Sequence, residues 1–299
     1  MSFLRTITCT TVALLFASLM QAQSNLQTLN LTFTTIDVPG AGLTVIAGMN
    51  SAGDMVGWYS QAYNTPSSGF LLSGGNFSFF DYPRGDSTLA FGINDSGLIS
   101  GSAYIRNNTA AVSFLYNGTT FTTIRAPGDS ATLARGINNA GIVVGGNGVS
   151  LSGTKGFALV GTKFKTVSPP GVYVYVFGDG INNLNQIVGS DDDGGFLYNK
   201  GKYQMVSVPG SSQTQPWGIN DDRVIVGWYA SSQCLPCGFA LKNGKYVTIN
   251  YPGAMATFPQ GINSSGQIVG SYEDNSSIYH GFVTSPISAE NIERSAGAN

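Results

Sequence analysis

Apolar residues along this chain come in short bursts of alternating pattern, each closed by Gly, Asn or Pro. One burst per unit is marked by Phe70/Leu72, Phe114/Tyr116, Phe157/Leu159, Phe196/Tyr198 or Phe239/Leu241, a two-residue spacing that puts both side chains on one side of a strand. Four such bursts make a unit. Burst A ends in Gly-Ile-Asn, and burst B is typified by Ile268-Val269-Gly270. Burst C carries the alternating Phe, and burst D reads like Phe121-Thr122-Thr123-Ile124 and stops at a Pro. Each burst predicts a β-strand.

The units repeat. Gly-Ile-Asn begins at Gly92, Gly136, Gly180, Gly218 and Gly261, with Gly-Met-Asn at Gly48, so the spacings are 44, 44, 44, 38 and 43 residues. Periods of this length mark a propeller, solenoid or array. Three residues after each Asn stands Gly53, Gly97, Gly141, Asn185, Arg223 or Gly266, as a tight hairpin ending in a left-handed residue requires. Arg223 is the departure, and mild strain is expected there. The Asn itself is suited to closing an Asx-turn on the following backbone. Pro39, Pro83, Pro127, Pro209 and Pro252 end burst D, which predicts D as the outer edge of its sheet.

The ends of the array choose between an open and a closed form. The chain enters its first unit at a D burst, Phe33-Thr34-Thr35-Ile36, and leaves its sixth at a C burst, Gly281-Phe282-Val283. An open array would leave that last C edge unpaired. A ring lets the N-terminal D strand complete the last sheet. The expectation is an all-β fold: a six-bladed β-propeller of four-stranded blades, closed by an N-terminal outer strand joining the last blade. The propeller domain is expected over residues 32–286, after a short segment at 23–31 and before a frayed tail at 287–299. Residues 1–22 have the layout of a secretory signal peptide, with Arg5 ahead of an apolar run from Thr11 to Met20 and Ala22 before the cut. That implies an exported protein, secreted or periplasmic, and no later segment is apolar for long enough to span a membrane.

The combined motif of Gly-Ile-Asn, Gly266-Gln267-Ile268-Val269-Gly270-Ser271-Tyr272 and His280-Gly281-Phe282 resembles the HAF-type extracellular repeat of bacterial secreted proteins, over roughly residues 33–285. The resemblance implies export and a propeller-like fold, with no catalytic residues to transfer. Only the last unit keeps a His before Gly-Phe. Ser68, Val112, Lys155, Gly194 and Cys237 stand near that place elsewhere, which argues against a His needed in every blade.

Composition narrows the function. Lys+Arg number 14 and Asp+Glu 16, so no basic surplus exists to hold nucleic acid. One His in the chain excludes a His-rich zinc site. Strand direction sends the A–B and C–D turns to one face and the B–C and D–A connections to the other. From the B Gly to the C Phe the gap runs 13, 13, 12, 7, 12 and 12 residues, so the second face is expected to carry long, variable loops and the ligand.

Two clusters are candidates, one on that face and one in the central channel. Trp58-Tyr59, Trp228-Tyr229 and Tyr272 follow strand B in units one, five and six, which ring closure makes neighbours. They read either as a platform for sugar rings or an extended peptide, or as bulk packed between blades. The residues before each Gly-Ile/Met-Asn are Ala47, Phe91, Arg135, Asp179, Trp217 and Gln260, heterogeneous among otherwise similar units. Arg135, Asp179, Trp217 and Gln260 read either as a polar ligand site in the central channel or as a structural plug, with Arg135 and Asp179 simply paired.

The remaining motifs are weaker. Asp191 and Asp193, flanking Asp192, offer oxygen ligands suited to Ca²⁺, or form an acidic surface turn. Cys234 and Cys237 are expected to form a loop-clamping disulfide rather than a redox centre. Arg84-Gly85-Asp86 reads as turn chemistry. His280 has no triad pattern around it. The leading reading is a secreted, non-catalytic binding propeller whose ligand is a glycan or a protein surface. The alternatives are a polysaccharide lyase or hydrolase, using Asp179, Arg135 or His280 at the channel mouth, and a structural envelope or matrix component. Only three Glu occur, two of them in the tail, which leaves few paired carboxylates for glycoside hydrolysis.

Overall fold

The computed structural model describes residues 26–105, 110–129, 131–148, 153–171 and 174–295. The proposed signal peptide at 1–22 lies outside the described residues. The described chain forms six four-stranded antiparallel sheets arranged as a ring, a six-bladed β-propeller. Strand A is innermost in every blade: Leu43–Met49, Ser87–Ile93, Thr132–Ile137, Val176–Ile181, Gln213–Ile219 and Ala256–Ile262. Blade 6 takes its outer strand from the chain's beginning, with Phe33–Ile36 pairing antiparallel to Tyr279–Thr284. No helix among the described residues is long and apolar enough to cross a membrane.

Two packing rules repeat around the ring. The B Gly pairs directly with the C Phe in every blade, as in Gly57↔Phe70 and Gly270↔Phe282. A Cβ on Gly57 would lie 2.9 Å from the tip of the Phe70 ring and 1.9 Å from the Val45 carbonyl oxygen, so the missing side chain makes room for the aromatic one. Five of these Phe residues, at 70, 114, 157, 239 and 282, are among the largest fully buried side chains. Each contributes about 2–3 kcal/mol of apolar burial. The second rule sits at the channel, where the Gly of Gly-Ile-Asn abuts the neighbouring blade. A Cβ on Gly180 would come within 2.5 Å of the Trp217 carbonyl oxygen.

The Asn residues link the blades. Each Asn Oδ1 accepts from the backbone N–H four residues on, as in Asp54→Asn50, Leu98→Asn94 and Ile142→Asn138 at 2.9–3.0 Å. Each Asn Nδ2 then donates to the carbonyl of the corresponding Asn one blade further round. The six contacts run Asn50→Asn94, Asn94→Asn138, Asn138→Asn182, Asn182→Asn220, Asn220→Asn263 and Asn263→Asn50, at 3.0–3.5 Å. The circuit closes on itself. Ser51, Asp95, Asn139 and Asn183 add a second tier, each N–H donating to the next blade's side chain at 2.7–2.9 Å. Hydrogen bonds from the Ser51 side chain and backbone hold the Asp95 carboxyl below its ordinary range.

Two expectations need correction. The Pro residues lie beyond strand D, in turns closed by bonds such as Ala41 N–H to Val38 O and Gly85 N–H to Tyr82 O. Gly40, Arg84, Gly128, Gly210 and Gly253 take the positive φ at the third position. Strand D is the outer edge all the same. The tail is also not frayed over its described length. A short helix, Ala289–Ser295, carries Ile292 at 0% exposure into the core of blades 5 and 6, and Ile287 is buried beside it. Lys245 Nζ donates to the Glu293 carbonyl at 3.1 Å. At the other end, Leu29 N–H and the Gln27 carbonyl bond to Thr248, so residues 27–29 run along the outer edge of blade 5 before strand D of blade 6 begins.

Two substitutions test this reading with opposite signs. Asn94→Ala removes the acceptor for two backbone N–H groups and one inter-blade donor, and should lower stability by about 2–4 kcal/mol in urea unfolding. Arg223 is exposed at φ 60°. Arg223→Gly should raise stability by about 0.5–1 kcal/mol, and a loss instead would show that no strain is held there.

Candidate functional site

The B–C/D–A face is less loop-rich than the spacing suggests. Strands B and C extend toward each other, leaving residues 61–66 between them in blade 1 and 274–278 in blade 6. In blades 4 and 5 only residues 192–193 and 232–233 remain. The loops are variable but mostly short, and the space on this face lies between strands.

Strand alternation separates the aromatic residues instead of gathering them. Trp58 lies against Phe91 of the next blade, with ring centroids 5.1 Å apart. Trp228 sits between Trp217 and Phe258, 6.2 Å from each, and its Nε1 is buried without a hydrogen-bond partner among the described residues. Tyr59 faces the other way, 5.0 Å from Phe79. Tyr229 is only 8% exposed, its hydroxyl 3.1 Å from Thr248 Oγ1. Tyr272 stacks on Tyr251 at 3.6 Å and on His280 at 5.1 Å. Most of this aromatic surface is therefore packing.

Trp58 is different. It walls a cavity of about 360 Å³ between blades 1 and 2, together with Ser67, Ser87, Leu89 and Tyr104. Ser67 and Ser87 open their strands, and the Ser67 N–H donates to Ser87 Oγ at 3.2 Å. The aromatic dipeptide pointed to Trp58, but Tyr104 and the two hydroxyls carry no comparable signal. Ser67 comes from the paired strand of the same blade, and Tyr104 and Ser87 meet Trp58 only because blade 2 stands beside blade 1.

The channel residues share one structural cause. The A–B ladder is interrupted by a bulge before Gly-Ile/Met-Asn in all six blades, for example between Ile46 and Gly48 and between Pro216 and Gly218. The bulged residue has no cross-strand partner, which frees it from the pattern that constrains its neighbours. Ala47, Phe91, Arg135, Asp179, Trp217 and Gln260 all line one channel cavity of about 120 Å³. Below them Met49 and five Ile side chains lie between this cavity and a lower one of about 90 Å³ at the Asn ring.

Arg135 and Asp179 pair across adjacent blades at 3.0 Å, and Ser190 Oγ donates to Asp179 at 2.9 Å. The Arg135 guanidinium also lies over Phe91 and Phe177, at 5.3 and 5.1 Å. This is the paired arrangement, with both charges engaged by the protein itself.

The other candidates are scattered. Asp191 accepts from the Asp193 N–H at 2.9 Å, and burial raises the Asp191 carboxyl. Asp192 accepts from the Val174 and Tyr175 N–H groups, at 2.6 and 3.3 Å. Among the described residues no three His, Cys, Asp or Glu side chains gather to hold a metal ion. His280, on strand C of blade 6, contacts Asp37 at 2.8 Å and Asp274 at 3.6 Å, two strands out from the channel wall. It does not join Arg135 and Asp179. Cys234 and Cys237 form a disulfide at the start of strand C of blade 5. Arg84-Gly85-Asp86 forms a D–A turn, as expected.

Burial raises Asp179 from 3.8 to about 6, against the opposing effects of Arg135 and the Ser190 hydrogen bond. Between those values the native chain keeps a proton that the unfolded chain has released. Stability from this group is thus highest at low pH and declines by about 3 kcal/mol as pH rises from about 4 to about 6. Asp179→Asn should abolish that component, so its urea midpoint rises relative to the parent across this window. Parallel midpoints would contradict the assignment.

No protein-family model matches the chain, and no curated protein matches its sequence. Solved structures with a similar fold include a mutant of AofleA from Arthrobotrys oligospora, 10% identical, covering 86% of both chains at a TM-score of 0.52. A luciferin-regenerating enzyme is 12% identical, covering 87% of this chain and 96% of its own at 0.51. The fucose-specific lectin from Aleuria aurantia is 12% identical, covering 85% and 97% at 0.50. At these identities the likeness is one of fold.

Proposed function

We propose that this chain is an exported, non-catalytic binding propeller that takes a neutral sugar unit of a glycan on its B–C/D–A face. The observation that supports this best is the cavity between blades 1 and 2. Trp58 supplies an aromatic wall, Tyr104 a second ring with a hydroxyl, Leu89 an apolar contact, and Ser67 and Ser87 two further hydroxyls. A pyranose needs just these two kinds of surface, a π-face for its C–H side and hydrogen-bonding groups for its hydroxyls. Among the described residues no Asp, Glu, Lys, Arg or His lines the cavity, which favours a neutral sugar over a uronic acid and a binding role over acid–base chemistry. Lectins and enzymes both occur among proteins of similar fold. The reading therefore rests on the cavity and not on the likeness.

The test is a glycan-array screen of the mature protein beside Trp58→Ala and Tyr104→Phe, each checked for an unchanged unfolding midpoint. Trp58→Ala should weaken binding at least about tenfold, the effect of losing about 1.5 kcal/mol of ring contact. Tyr104→Phe should produce a smaller loss. Glycan binding that survives Trp58→Ala would place the site elsewhere, and no glycan binding by the parent protein would overturn the reading.

A further inference from the structure

The Cys234–Cys237 disulfide is poorly placed to act as a clamp. Strand B of blade 5 already holds both cysteines, through the ladder pairs Ser231↔Cys234 and Tyr229↔Cys237. Between these pairs strand C carries one residue more than strand B, so the bond spans a bulge within a single strand. It ties no separate part of the chain to another, and a loop this short constrains the unfolded chain least.

Its two sulfurs differ in setting. Cys237 is 5% exposed and packed in the core of blade 5, whereas Cys234 is partly exposed. Cys234 borders a cavity of about 230 Å³ beside the hairpin, between Ser232, Gln233, Pro209 of the preceding D–A turn and Leu26 of the N-terminal segment. Among the described residues no Asp or Glu lines this cavity, so an approaching thiolate meets no like charge there. The ladder pair Gly238↔Ile249 sets Asn250 opposite Cys237, and Asn250 Nδ2 donates to Cys237 Sγ at 3.1 Å. A disulfide sulfur accepts weakly, but a thiolate accepts strongly because it carries the charge. Asn250 Oδ1 is buried and meets no donor among the described residues. The disulfide offers it none, whereas a Cys237 thiol would carry an S–H beside the same amide. The amide is therefore better matched to the reduced pair than to the disulfide it adjoins.

We infer that Cys234–Cys237 is a redox-active disulfide that oxidises an external dithiol, with Cys234 as the sulfur attacked and Cys237 as the leaving group held by Asn250. In the first step a thiolate of the dithiol bonds to Cys234 Sγ. The Cys234–Cys237 bond breaks, and its electron pair leaves on Cys237 Sγ, which accepts from Asn250 Nδ2. In the second step the other thiolate of the dithiol attacks its own sulfur in the mixed disulfide and expels Cys234 as a thiolate. The dithiol becomes a disulfide, and its two protons pass through solvent to the two cysteine thiolates. This activity does not depend on the Trp58 cavity holding a sugar.

The experiment uses the full mature protein, in which Cys234 and Cys237 are the only cysteines once Cys9 has left with the proposed signal peptide. Dithiothreitol should reduce the pair under native conditions, at a rate first order in reagent and with no denaturant. Brief exposure to glutathione, quenched with excess N-ethylmaleimide and read by tandem mass spectrometry, should place glutathione on Cys234 and the maleimide on Cys237. Asn250→Ala should slow reduction by dithiothreitol at least about tenfold, the effect of losing a hydrogen bond to a charged atom. A purely structural role for Asn250 predicts the opposite sign, because a loosened hairpin exposes the disulfide and speeds its reduction. Reduction only on unfolding, glutathione on Cys237, or a rate in Asn250→Ala equal to or above the parent's would each overturn the inference. The adduct positions are read on the parent protein, so the test stands even where the variant fails to fold.

Discussion

The ring depends on the Asn of Gly-Ile/Met-Asn. One side chain does two jobs there: its oxygen closes the A–B turn within a blade, and its nitrogen donates to the backbone of the next blade. Neither Asp nor Ser offers an acceptor and a donor at fixed separation on one short planar group. Six such residues make a closed circuit, with the last donating to the first across 213 residues of sequence. Closure by strand pairing happens at the outer edge of blade 6, whereas closure by the Asn circuit happens at the channel. The two together fix the last blade at both ends of its sheet.

That scaffold leaves some positions free of its rules, and those are where the blades differ. The bulge residue of strand A has no cross-strand partner, so Ala47, Phe91, Arg135, Asp179, Trp217 and Gln260 can diverge without disturbing the ladder. In blades 3 and 4 this freedom yields an ion pair held between aromatic rings and a serine hydroxyl, a closed arrangement that serves the channel wall. The positions flanking the B Gly also diverge, but their side chains must fit against neighbouring blades. The Trp residues therefore became partly buried, and Trp58 borders the cavity between blades 1 and 2 while Trp228 packs between Trp217 and Phe258.

The fold was legible to an unusual depth for reasons tied to particular residues. Gly53, Gly97, Gly141, Asn185, Arg223 and Gly266 all adopt the positive φ that their place in the repeat demands. The D burst at Phe33–Ile36 and the missing D after Phe282 predicted the closing pair that the structure contains. The Pro positions led to a correct outer edge through an incomplete reason, since they belong to the turn after the strand. The buried end of the tail was missed because Ile287 and Ile292 show no repeat signal, and their burial depends on a surface formed by blades 5 and 6.

What the chain's sequence determined by itself was everything local or periodic: strand identity, turn type, blade number and the direction of closure. These follow from backbone preferences and alternation, which act over a few residues and are reinforced by six copies. The tertiary structure alone decided which candidates share a space. Trp58 meets Tyr104 and Ser87 across a blade boundary, and Asn250 meets Leu26 from the far end of the chain. Cavities are the gaps between side chains on strands remote in sequence. Their size and lining depend on how volumes sum at an interface, a quantity that no single repeat encodes.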